Sequence, residues 1–183
     1  IATSNGQDFS LRTGMGLVSQ VFDEEDLAFL RGHIAIGHTR YSTAGGSLEC
    51  NAQPIVVHDR ETGAPLDLAH NGNLTNFDTL RADLEAQDVP FETTADSELI
   101  AHLLSMAPAG TWEERFHYVM RRIEGAYSLA IMTRDTLFAV RAAYQTPVEV
   151  TMPGTAAKET AYPYTFEDAL VFENLDFFAA FAG

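Results

Sequence analysis

Gly37-His38-Thr39-Arg40-Tyr41-Ser42-Thr43-Ala44-Gly45 and His70-Asn71-Gly72-Asn73-Leu74-Thr75-Asn76 lie about thirty residues apart and set the reading of the whole chain. Each follows an apolar run that reads as a buried strand, Ile34 to His38 for the first and Leu66 to His70 for the second. Each then breaks into small, polar, turn-forming residues. Ile55 to His58 reads as a further strand, and Asp59-Arg60-Glu61-Thr62-Gly63 as a hairpin loop joining it to Leu66–His70.

Outward from this pair the periodicity changes. Upstream, Leu11 to Phe22 shows short apolar alternation interrupted by Gly14 and Gly16. Asp23-Glu24-Glu25-Asp26 suits the start of a short helix through Leu30, because acidic side chains favour a helix N-terminus. Downstream, Phe77, Leu80 and Leu84 share one helical face. Leu99, Ile100, Leu103 and Leu104 repeat the pattern after Asp96 or Ser97, either of which could cap the helix. Thr111-Trp112-Glu113-Glu114 fits a capping box ahead of Phe116, Val119, Met120 and Ile123, and Gly125 is expected to end that helix. Tyr127 to Met132 and Leu137 to Val140 read as a hairpin around Arg134-Asp135. From Ala142 onward Pro147, Pro153 and Pro163 break the pattern, and the acidic, aromatic Phe166–Phe181 reads equally as helix or strand. Strands, then helices, then strands again predict an α+β fold of stacked sheet and helix layers.

The 183 residues fit one domain with a sizeable core. A hydrophobic fraction of 46% against 20% charged is that of a globular chain. Acidic residues number 26 against 11 basic, a formal net charge of −15, which argues against nucleic acid and anionic membranes as partners. No apolar stretch approaches the ~18 residues of a membrane span. Ile1-Ala2-Thr3-Ser4-Asn5-Gly6 lacks the basic and apolar regions of a signal peptide. A single cysteine, Cys50, excludes an intrachain disulfide and fits a reducing cytoplasm.

Binding a free amino acid strips water from a carboxylate and an ammonium, so a site needs a cationic fork for one and an anion for the other. Arg40, just past a strand end, can hold a carboxylate bidentately. Asp96, in Thr93-Thr94-Ala95-Asp96-Ser97-Glu98, can meet an ammonium. The plainer alternatives are a surface arginine and a capping aspartate. Amide hydrolysis passes through an oxyanion that needs preorganised donors. Asn71 offers a side-chain amide, and Gly72 allows close backbone approach; the plainer alternative is an Asn-Gly turn. The six histidines show no metal-ligand spacing, and His38 and His70 read as structural residues at strand ends. No P-loop or dinucleotide fingerprint is present.

Gly37–Gly45, Asn51-Ala52-Gln53-Pro54, His70–Asn76, Ser97-Glu98-Leu99-Ile100 and Gly125-Ala126-Tyr127-Ser128 together resemble the class II, N-terminal-nucleophile glutamine amidotransferases. The resemblance runs from Ile1 to about Arg141. Asn-Ala-Gln-Pro with Asn-Gly-Asn-Leu-Thr-Asn is similar to the purine branch, the glutaminase domains of amidophosphoribosyltransferases. It implies a four-layer αββα sandwich, here with its first strand missing. It also implies a glutamine amidotransferase domain over residues 1–141; beyond it, residues 142–183 read as a divergent segment docked on the same domain. By resemblance Arg40 would hold the glutamine α-carboxylate and Asp96 the α-ammonium. The backbone around Thr43 would line the pocket, and Asn71 and Gly72 would form the oxyanion hole. The domain itself would need no cofactor. Magnesium and phosphoribosyl pyrophosphate would belong to a separate phosphoribosyltransferase (synthase) domain, its partner in a parent homo-oligomer. Whether that parent carries an iron–sulfur cluster is not written in these residues.

The sequence departs from the family at two points. The family's nucleophile is an N-terminal cysteine whose α-amino group serves as base, whereas this sequence begins Ile1-Ala2-Thr3-Ser4. The expectation is a truncated domain, inactive as written; a natural glutamine-binding module without hydrolysis is the alternative. Cys50 has no amino group beside it and reads as incidental, and neither Ser42 nor Ser97 stands in a nucleophile elbow. At the other end Arg141-Ala142-Ala143-Tyr144-Gln145-Thr146-Pro147 replaces the family's Arg-Asp-Pro-x-Gly turn, and no phosphoribosyl-pyrophosphate motif is present.

Overall fold

A computed structural model describes residues 1–39 and 48–142, together with the backbone of three short strands farther on. In chain order the elements are β1 (Ala2–Ser4), β2 (Phe9–Leu11), α1 (Val18–Val21), α2 (Glu24–Phe29), β3 (Ile34–Ile36), β4 (Ile55–His58) and β5 (Pro65–Leu74). These are followed by α3 (Phe77–Glu85), α4 (Asp96–Ser105), α5 (Trp112–Met120), β6 (Gly125–Met132), β7 (Leu137–Ala142), β8 (Val148–Thr151), β9 (Lys158–Ala161) and β10 (Val171–Phe172). A 3₁₀ turn at Glu49–Asn51 precedes β4.

Two four-stranded antiparallel sheets form, in the orders β4-β5-β6-β7 and β10-β3-β1-β2. The pleat of β5 decides what each face packs against. Leu66, Leu68 and Leu74 point to one side. There, with Leu129 and Ile131 of β6, they meet Leu99, Ile100, Leu103 and Leu104 of α4. Ala69 points to the other, where with Ala130 and Met132 it meets Ala2 and Ile36 of the second sheet. Register fixes the pairing, with Leu68 opposite Ile55 and Ile131, and Ala69 opposite Ala130. The described layers are therefore helices α3–α5, a sheet, and a second sheet; α1 and α2 bury no residue. Leu99 and Ile100 are fully buried, and each such side chain contributes about 1.5–3 kcal/mol.

Most helix and hairpin expectations hold. Asp23 caps α2 by accepting from Asp26 N–H at 2.9 Å, with Glu24, Glu25 and Asp26 in the first turn. Thr111 and Glu114 form the reciprocal capping box of α5. The β4–β5 loop closes through Asp59, whose Oδ1 accepts from Thr62 N–H and Oγ1–H.

Three expectations need correction. Leu11–Phe22 does not continue as alternation: β2 ends at Leu11, and the one-turn α1 follows after Leu17. The short strand Ala2–Ser4 was not legible, because three residues carry no period. Gly125 does not end α5, which stops at Met120; it opens β6 with φ +145. Asn71-Gly72 does not follow a strand but lies inside β5, which runs on to Leu74. The reason is that β6 pairs with it residue for residue, Asn71 opposite Ser128 and Gly72 opposite Tyr127.

Candidate active site

Asp96 opens α4 and does not cap it. The N-cap is Ala95, an extended residue with no side-chain bond to the helix, so neither Asp96 nor Ser97 caps as expected. Its carboxylate instead reaches back to β5. Oδ1 lies 3.1 Å from His70 Nδ1, and Oδ2 accepts from Leu74 N–H at 3.3 Å. One carboxylate thus bridges the two residues flanking Asn71-Gly72-Asn73. Burial pushes its pKa up, but the His70 hydrogen bond and charge and the amides of Leu74 and Ser97 outweigh that and hold it below its ordinary value. The group is an anion at neutral pH. Its side chain is 23% exposed, so the charge remains reachable.

The residues leading into α4 are tied down. Glu98 accepts from Glu92 N–H and Thr93 N–H, each at 2.8 Å, and from Thr93 Oγ1–H at 2.7 Å. Asn51 accepts from Thr94 N–H at 3.0 Å and donates to Thr94 Oγ1 at 2.9 Å. Gln53 Oε1 accepts from His70 N–H at 2.7 Å. The Asn51-Ala52-Gln53-Pro54 segment is therefore a brace that grips α4's start with one side chain and β5 with another.

Gly72 has φ +147, a backbone region that side chains disfavour. A Cβ there would lie 2.2 Å from the Ala126 carbonyl oxygen and 2.7 Å from Tyr127 Cα. Only glycine fits, and its amide is presented at an exposed point of the strand. Asn71 lies on the same face of β5 as Ala69 and is half-buried. Among the described residues nothing hydrogen-bonds its side-chain amide, which leaves it available as a donor. Arg40 and Thr43 lie outside the described residues, as does Ser42.

The alternative nucleophiles find no support in geometry. Cys50 is exposed, and the contact its thiol makes is with Asn51 Oδ1 at 3.8 Å; no described histidine hydrogen-bonds it. Ser97 is fully buried in α4. A surface cleft of about 530 Å³ lined by Glu114, His117, Tyr118, Arg121 and Arg122 contains none of the candidate site residues.

Sequence reasoning missed His70 as a partner of Asp96, and Asn51, Gln53 and Glu98 as braces. The one signal available was that Asn51, Gln53, His70 and Glu98 all fall inside the motifs that carried the resemblance.

A family model described as a glutamine amidotransferase domain matches residues 38–146, which include every site residue named above. The amidophosphoribosyltransferase of Drosophila melanogaster is 44% identical over 154 residues, 79% of this chain and 28% of that protein. That of Synechococcus elongatus is 46% identical over 143 residues, 77% of this chain and 29% of that protein. A solved structure of the allosteric regulatory enzyme of purine biosynthesis aligns with a TM-score of 0.68 at 31% identity, covering 76% of this chain and 30% of that one. The chain spans less than a third of the length of these relatives.

Proposed function

The chain belongs to the glutamine amidotransferase domain family, of the class II type, and from that membership we propose that it binds L-glutamine and stabilises the oxyanion formed when the side-chain amide is hydrolysed to glutamate and ammonia. The observation that carries the proposal is the Asp96 carboxylate, anionic and reachable, bridging His70 and Leu74 around Asn71-Gly72. In this reading Asp96 receives the α-ammonium and Arg40 the α-carboxylate. The backbone at Thr43 lines the pocket, and Asn71 and Gly72 donate to the oxyanion. An amino-acid clamp placed beside oxyanion donors is what amide hydrolysis requires. The thiolate that the resemblance implies is an N-terminal cysteine, which is not among these residues. They therefore account for the binding and oxyanion half of the chemistry.

Similarity to the amidophosphoribosyltransferases supports the rest of the proposal. The ammonia would be passed to phosphoribosyl pyrophosphate on a synthase domain, in an oligomeric protein. Magnesium would belong to that domain, and the glutaminase chemistry itself would use no cofactor. Residues 1–141 would form the glutaminase domain, with 142–183 docked against it; the pairing of β10 with β3 supports the docking. The free Cys50 favours a reducing compartment such as the cytoplasm. Among the described residues no helix is long and apolar enough to cross a membrane.

Asn71→Ala in the native polypeptide tests the assignment. Glutamate release should fall by about 10²–10³-fold with glutamine affinity retained, the usual cost of one oxyanion donor. Unchanged turnover would remove Asn71 from the oxyanion hole.

A further inference from the structure

Resting on the glutaminase reading above, we propose that His70 is a positioning residue that couples the ammonium anchor to the oxyanion segment, holding Asp96 with one edge of its ring and Gly72 with the other. Its side chain is 1% exposed, on the helix-facing side of β5. Three contacts fix it. Its backbone N–H donates to Gln53 Oε1 at 2.7 Å, and Nδ1 meets Asp96 Oδ1 at 3.1 Å. Nε2 lies 3.0 Å from where a Gly72 Cβ would stand, so this edge of the ring fills the space a side chain at 72 would need. Nε2 has no hydrogen-bond partner among the described residues. Among the described residues the Asp96 contact is therefore the ring's one hydrogen bond, and the opposite ring edge stands on the Gly72 side. The bond also leaves the outward lone pairs of Asp96 for a ligand, since a carboxylate offers about four acceptor sites.

Two substitutions separate the two edges. His70→Asn keeps a donor where Nδ1 stands and removes the bulk against Gly72. His70→Phe keeps the bulk and removes the donor to Asp96. Steady-state glutaminase kinetics of the native polypeptide should then split. His70→Phe raises KM for glutamine about tenfold or more, the cost of a hydrogen bond to a charged group, with kcat within about twofold. His70→Asn lowers kcat about tenfold with KM little changed. Both parameters moving together in both variants, or only the melting temperature moving, would reduce His70 to a core residue and overturn the coupling. A measurement without substitution guards against misfolding: on titration with glutamine the His70 imidazole ¹⁵N resonances should shift, and absence of any shift in the glutamine-saturated protein would also overturn it. Failure of the unsubstituted protein to bind glutamine would instead sink the function proposed above, and the coupling with it.

Discussion

Asp67 sits on the inter-sheet face of β5, opposite Met132, at 1% exposure, and neither of its oxygens has a hydrogen-bond partner among the described residues. Burial raises its pKa to about 7. A carboxyl whose folded pKa exceeds its unfolded one keeps its proton in the folded state, so stability falls as pH rises from about 4 to about 7. Asp59 and Asp96 work in the opposite sense. Both are held below their ordinary pKa despite burial, Asp59 by Thr62 and Arg115 and Asp96 by His70 and neighbouring amides, and their contribution is lost as pH falls below about 4. Asp67→Asn should remove the loss caused by Asp67, so that the variant gains about 3 kcal/mol relative to the unsubstituted chain on going from pH 5 to pH 7, as read by urea denaturation of both proteins at the two pH values. At this scale Asn71, Gly72 and Asp96 stood out as candidates through the motifs of the resemblance, since by type alone they read as an Asn-Gly turn and a capping aspartate. The His70–Asp96 contact was not, because it joins residues 26 apart on different elements, and no local pattern encodes a pair of that kind.

Among the elements, α5 shows both what sequence carries and what it cannot. Its capping box was written in Thr111-Trp112-Glu113-Glu114 and is present, the Thr111 amide donating to Glu114 Oε2 at 2.8 Å. Its buried Arg115, by contrast, pairs with Asp59 in the β4–β5 loop, which only the packing of α5 against that loop brings about. The two features predict different costs. Thr111→Ala removes one exposed cap and should destabilise by about 1 kcal/mol. Asp59→Ala leaves a guanidinium buried without its anion and should cost about 3–5 kcal/mol. Thermal or denaturant unfolding of the two variants gives the ranking; equal losses would mean that the buried pair is solvated. β5 makes the same point for strands. Its apolar half was visible, but its continuation through His70-Asn71-Gly72-Asn73 was hidden by residues that favour turns. Pairing with β6 overrides that preference, and glycines at 72 and 125 relieve the crowding it creates.

Across the whole molecule, the α+β class was visible in the change of period from strand to helix and back. The face-to-face packing of two sheets was not, since the residues between them are mostly small: Ala2, Ala69 and Ala130 generate little periodic signal. The layering nevertheless explains the site's placement. α4 packs on one face of β5 and delivers Asp96 to His70 and Leu74, while Asn71 stands on the opposite face, half-buried. The central claim is that this arrangement grips a free amino acid. Its most direct test is calorimetric titration of L-glutamine into the folded chain, alongside Arg40→Ala and Asp96→Ala. The account predicts saturable binding to the unsubstituted chain that is lost in both variants; no binding, or the same affinity in all three proteins, would contradict it.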